Sequence, residues 1–181
     1  ELPPYRRPRV GQVIVRSVLD RTLFVLARAV MVAAPAGLVI WLTANVTVGG
    51  ESLLVHLAAF FDPLGKLMGL DGMILLAFLL GFPANEIVIP ILLMGYLSTG
   101  SLTDYQDLTH LRQLLVANGW TWQTALSAVV FTLFHFPCGT TCATIHRETG
   151  SLRWTLLAVA LPTAVGILLC MALHLLLTAV G

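Results

Sequence analysis

The chain has 181 residues, of which 57% are hydrophobic and 10% charged, with a mean hydropathy of +0.89. Soluble domains carry roughly 25% charged residues, so the composition excludes a soluble domain and points to an integral membrane protein. The formal net charge of +1 says little, but five of the ten basic residues (Arg6, Arg7, Arg9, Arg16 and Arg21) fall in the first 21 positions.

That basic lead-in, residues 1–22, reads as a juxtamembrane segment, and the positive-inside bias puts it in the cytoplasm. No basic, aromatic-rich domain follows it, so nucleic acid is not an expected partner. The first residues lack the charged-then-apolar layout of a signal peptide. The chain accordingly reads as a piece of a longer polypeptide. A first apolar helix is expected over residues 23–46, with Arg28 close enough to its start to snorkel. Residues 52–70 are apolar but carry His56, Asp62, Pro63, Gly65 and Lys66, which suits an interfacial or re-entrant segment. After the helix-start signal Asp71-Gly72, residues 73–97 are long enough for one span of the ~30 Å hydrocarbon layer. A polar loop and a short amphipathic helix ending at Asn118-Gly119 lead to a helix over 122–145. A polar turn at 146–153 precedes a last helix over 154–180. Crossing three times from a cytoplasmic start would place Arg147 and Arg153 outside, against the positive-inside bias, unless 52–70 adds a crossing. The fold class is thus all-α, with about four transmembrane helices, two of them discontinuous, in a membrane domain over residues 23–181.

The discontinuities carry the chemistry. In Gly81-Phe82-Pro83-Ala84-Asn85-Glu86, Gly81 closes one half-helix and Pro83 opens the next, since proline is favoured at a first helical position. Asn85 and Glu86 then sit in a first turn, where the helix dipole favours a carboxylate. An ionisable residue near the bilayer centre costs at least ~2.5 kcal/mol and is a functional hypothesis by default. The alternative for Glu86 is a packing role, neutral or paired with a polar residue such as Arg28. In His135-Phe136-Pro137-Cys138-Gly139-Thr140-Thr141-Cys142, the hinge is Pro137 with Gly139, and Cys138 and Cys142 stand at the i, i+4 spacing of one helix face. Thiolate, imidazole and carboxylate together suit a borderline transition metal better than magnesium or calcium. Either cysteine could instead be a small apolar packing residue, and Cys170 and His174 are expected to be packing and satisfied polar residues of the last helix. No P-loop, GxGxxG or HExxH motif occurs. A Cys-x-x-x-Cys pair on a helix is also not a redox spacing.

Five motifs occur in order: Glu1-Leu2-Pro3-Pro4-Tyr5-Arg6, Gly69-Leu70-Asp71-Gly72, Gly81-Phe82-Pro83-Ala84-Asn85-Glu86-Ile87, the stretch 134–142 around Pro137-Cys138, and Glu148-Thr149-Gly150-Ser151. Together they closely resemble the C-terminal part of the bacterial ferrous iron transporter B family. The resemblance implies Fe²⁺ as the transported ion, with no permanently bound cofactor, and a multi-pass protein of the inner membrane. It implies Cys138, Asn85 and Glu86 near the permeation path, assisted by Cys142 or His135. It also implies partners: an N-terminal GTP-binding domain and a first gate half, on the same or a separate chain, small cytoplasmic accessory proteins, and a homo-oligomer. Any GTPase activity would reside outside this chain. Two other readings remain: half of a gate-type nucleoside or organic-ion transporter, and a non-transporting membrane anchor.

Overall fold

A computed structural model of the chain describes residues 10–98 and 107–180. Much of the basic lead-in, and the loop containing Asp104 and Tyr105, therefore lie outside the described residues. The first helix, α1, begins upstream of the expected span and runs Val10–Asn45. Two short strands follow, β1 (Thr47–Val48) and β2 (Glu51–Ser52), paired antiparallel with Thr47 opposite Ser52. The Gly49-Gly50 turn between them has φ of +66° and +94°, the left-handed pair that a two-residue hairpin loop favours.

Helix α2 (Leu53–Leu67) stops where Gly69 turns to φ +70° and Leu70 N–H returns to Gly65 O at 2.9 Å. Asp71 then caps α3 (Gly72–Leu80), its Oδ1 accepting Ile74 N–H at 2.6 Å. The two helices meet at 111°, in keeping with a re-entrant reading of residues 52–70. They touch closely because Gly72 has no side chain: a Cβ there would lie 1.9 Å from Ala58 O.

After α3 the structure departs from a straight span over 73–97. Residues 81–84 turn, a 3₁₀ turn covers Asn85–Ile87, and α4 (Val88–Leu97) runs back along α3. Tyr96 OH donates to Asp71 Oδ2, and Met73 fills the space left by Gly95. Continued straight, a helix would separate these two residues by about 37 Å, so the contact requires a hairpin. The break at Gly81 is where expected, but its two arms lie side by side. Pro83 sits in the turn, ahead of the first helical position. These arms form the core: Leu76, Ala77, Ile91, Leu92, Leu93 and Met94 are almost wholly buried.

Helix α5 (Leu108–Ala117) is capped by Asp107 and ends at Asn118-Gly119, where Gly119 takes φ +86°. Thr121 caps α6 (Trp122–Phe134), its Oγ1 accepting Thr124 N–H at 3.2 Å. Residues 135–138 are not helical, and α7 (Gly139–Thr149) continues the path. Helix α8 (Leu152–Val180) packs along both α6 and α7. Gly166 admits Phe134, and the buried Cys170 donates its thiol to Ser127 O at 3.4 Å. Among the described residues, three helical stretches are long and apolar enough to cross a membrane: Val25–Asn45, Trp122–Thr149 and Leu152–Ala179. A fourth is added if α2 and α3 count as one broken span. Large apolar side chains are exposed along α1 and α8, as lipid solvation allows. The chain is an all-α membrane protein with interrupted helices.

Candidate functional site

The two breaks meet. Gly139 N–H, at the start of α7, donates to Phe82 O in the α3–α4 turn at 2.7 Å. Each break frees backbone groups that lipid cannot satisfy, and here one break satisfies the other. Rings reinforce the joint. Phe82 lies 5.8 Å from Phe136 between centroids, and Phe78 meets Phe131 edge-on at 5.0 Å.

Beside the joint is a cavity of about 130 Å³, lined by Asn85, Trp120, Thr132 and His135 among apolar side chains of α3, α4 and α6. His135 has a defined tautomer. Its Nδ1 lies 2.8 Å from Thr132 O, and a carbonyl only accepts, so the proton is on Nδ1. Nε2 is left with a bare lone pair, buried and without a hydrogen-bond partner among the described residues. Such an acceptor costs about 1–3 kcal/mol. The ring is held by Phe78 at 5.1 Å and Phe136 at 5.4 Å.

The other expected site residues are placed differently. Asn85 and Glu86 occupy the 3₁₀ turn that opens α4, as read from the sequence, and both are exposed. Asn85 reaches the cavity; Glu86, Cys138 and Cys142 do not line it. Cys138 is the cap residue of α7, with Sγ 3.1 Å from Thr140 Oγ1 and 3.2 Å from Thr141 Oγ1. Those threonines, with Thr144, line a wider groove of about 280 Å³ against Val25 and Ala29 of α1. Residues 135–138 are extended at both ends, with ψ of 171° at His135 and 158° at Cys138. His135 lines the cavity of α3, α4 and α6, whereas Cys138 does not. Cys142 is buried and donates its thiol to Pro137 O at 3.4 Å. The i, i+4 face-sharing of the two cysteines does not hold strictly, because Cys138 is outside the helical φ/ψ region. Among the described residues, no three His, Cys, Asp or Glu side chains gather to hold a metal. The side chain of Arg28 is not described.

Three features were missed in the sequence. Trp120 Nε1 donates to Tyr96 OH at 2.9 Å, and Tyr96 OH donates to Asp71, tying the base of the hairpin to the start of α6. Trp120 was legible only as an interfacial indole. The Thr132 carbonyl fixes the His135 ring, which the i, i+3 spacing could have flagged. His174 Nδ1, expected to be satisfied, is buried without a partner among the described residues, as is Ser127 Oγ, and both stand where a side chain on Gly69 would go.

Fold and joint together define a helical membrane gate domain built on interrupted helices. Comparison with known proteins then places it. The chain belongs to the family described as Gate, nucleoside recognition, which matches residues 26–152. It is similar to the Fe(2+) transporter FeoB of Synechocystis sp. (strain ATCC 27184 / PCC 6803 / Kazusa), 28% identical over 164 residues, covering 90% of this chain and 25% of the relative. It is also similar to the Fe(2+) transporter FeoB of Staphylococcus aureus (strain COL), 30% identical over 169 residues, covering 90% of this chain and 24% of the relative. The chain spans about a quarter of the length of the curated relatives it matches. These matches bear out the resemblance read from the five motifs. No solved structure matches the chain.

Proposed function

We propose that the chain is the membrane gate part of a ferrous iron transporter in a bacterial inner membrane, passing Fe²⁺ through the joint of its two breaks. The reading is carried by the Gly139–Phe82 hydrogen bond at 2.7 Å. It couples the two hinges, so that a shift at Pro83 or Gly81 is felt at Pro137 and Gly139. Fe²⁺ is cargo, with no permanent cofactor. It sheds part of its water and meets the Asn85 carbonyl, the Glu86 carboxylate and the Cys138 sulfur, with His135 or Cys142 assisting. None of these contacts forms a closed cage, as release requires. Broken helices meeting a substrate and rocking to alternate access are a recurrent transporter device. The chain itself does no covalent chemistry on this reading. An N-terminal GTP-binding domain and a first gate half supply the energy and the other side of the path. Small cytoplasmic proteins and further copies of the chain complete the assembly.

The test is uptake of radiolabelled Fe²⁺ after Cys138→Ser is introduced into the gene at its own locus, with other iron routes removed. Loss of most of the flux at unchanged protein level is expected. A second reading, an organic solute such as a nucleoside, is favoured by the largely apolar cavity lining. It predicts uptake of iron indifferent to the substitution.

A further inference from the structure

We infer that His135 is the specificity-determining contact of this gate: its Nε2 takes one coordination position of the passing ion and favours Fe²⁺ over Mn²⁺ and Mg²⁺. The inference rests on the iron reading and deepens it. Three observations carry it. First, the Thr132 carbonyl, 2.8 Å from Nδ1, commits the ring proton to the wrong side for any other role. In the neutral ring Nε2 is then free to accept a hydrogen bond or bind a metal. A ligating histidine ordinarily donates its second nitrogen to a carbonyl or carboxylate in this way, which fixes ring orientation and raises ligand basicity. Second, Nε2 is buried and unpartnered among the described residues, so no internal bond competes for the lone pair. Third, the ring lines a cavity of about 130 Å³ that Asn85 also reaches. At about 10–15 Å³ of such space per water, that volume has room for a hydrated or partly hydrated ion.

The aromatic neighbours explain how the contact is gated. Phe136 belongs to the extended break and Phe78 to α3 just before the other break, and both rings pack on the imidazole. A hinge movement that displaces either ring uncovers Nε2; the return movement covers it and expels the ion. The chemistry selects. Imidazole suits iron, whereas carboxylate, carbonyl and water ligands suit magnesium and manganese, and affinity at a nitrogen site rises from Mn²⁺ to Fe²⁺. Oxygen ligands alone, from Asn85 and Glu86, would make that distinction less sharply.

Two variants test it, His135→Gln and His135→Phe, each at the native locus. Gln exchanges a nitrogen ligand for an amide oxygen. Phe keeps a ring between Phe78 and Phe136, so a folded protein without the ligand is obtained. The measurement is Fe²⁺ uptake in competition with Mn²⁺, at matched protein level. Both variants are expected to lower the Fe²⁺-over-Mn²⁺ preference, and Fe²⁺ affinity by about tenfold or more, the scale of disturbing even a ligating histidine's partner. Unchanged preference in both, in cells where Cys138→Ser abolishes uptake, overturns the inference and leaves the iron reading standing. Uptake indifferent to all three substitutions overturns both.

Discussion

Gly72→Ala should open the α2–α3 corner, and its cost follows from three distances. The added Cβ would lie 1.9 Å from Ala58 O, 2.6 Å from Asp62 N and 2.9 Å from Ala58 C. All three are backbone atoms of α2, so no side chain can swing aside. Carbon–oxygen contacts settle near 3.3–3.6 Å, which requires α2 and α3 to part by roughly 1.4 Å. That separation stretches the bond from Gly72 N–H to Asp62 Oδ1, already 3.3 Å. It also loosens the packing of Leu54 and Ala58 on Ile74 and Leu75, all buried. Overpacking typically costs 1–3 kcal/mol, and a backbone-to-backbone clash belongs at the upper end, about 3 kcal/mol. For a chain of this size that is roughly 6–12 °C in Tm. The assay is thermal unfolding in detergent, with Gly37→Ala as control. Gly37 lies in α1 with nothing within 4 Å of its missing Cβ, so alanine there should be neutral or stabilise by about 0.5–1 kcal/mol. A Gly72→Ala melting point within about 2 °C of the parent would refute the close-contact account of the corner.

Ser127→Ala removes a buried hydroxyl that has no partner among the described residues. It should leave stability unchanged or raise it by up to about 1–3 kcal/mol; a clear loss in thermal unfolding would mean that the hydroxyl is bonded. Trp120→Phe deletes the indole donor to Tyr96 and should cost about 0.5–1.5 kcal/mol, with faster hydrogen exchange in α4 and at the start of α6. Trp122→Phe, at a residue 66% exposed, should change neither, and equal effects from the two would count against the Asp71–Tyr96–Trp120 chain.

Local signals were legible. Asp71, Thr121 and Asp107 cap their helices with side-chain oxygens, and Asn118-Gly119 ends α5. Both breaks fall where proline and glycine interrupt apolar runs. The fold-back of α4 on α3 was not legible, because twenty-odd apolar residues satisfy a spanning helix and two shorter buried arms equally well. What decides between them is long-range: the Tyr96–Asp71 bond, and the gap at Gly95 that receives Met73. Gly65 and Gly72 carried a hint, since small residues mark close helix contact in membranes, but they do not name the partner. The Gly49-Gly50 hairpin has a local signal, a Gly-Gly pair able to take two positive φ angles, but its strands are only two residues long and show no alternation. His174 was misjudged for a physical reason. Helical spacing says which face a residue takes, but not whether its neighbours offer a donor.

The site was legible as chemistry and illegible as arrangement. Reading His135, Cys138 and Cys142 as one constellation assumes that helical periodicity runs through the break, and it does not. The non-helical residues 135–138 separate them: His135 lines the α3–α6 cavity, whereas Cys138 Sγ contacts Thr140 and Thr141, which line the groove beside α1. The consequence is mechanical. On the proposed iron reading, an ion moving between the two passes the joint itself, where Gly139 holds Phe82 and the rings of Phe82 and Phe136 lie 5.8 Å apart. A single ligand cage would hold its ion in one conformation. On that reading, two half-sites on either side of a hydrogen-bonded joint instead make the ion's transfer depend on that joint yielding, and both hinges then move together.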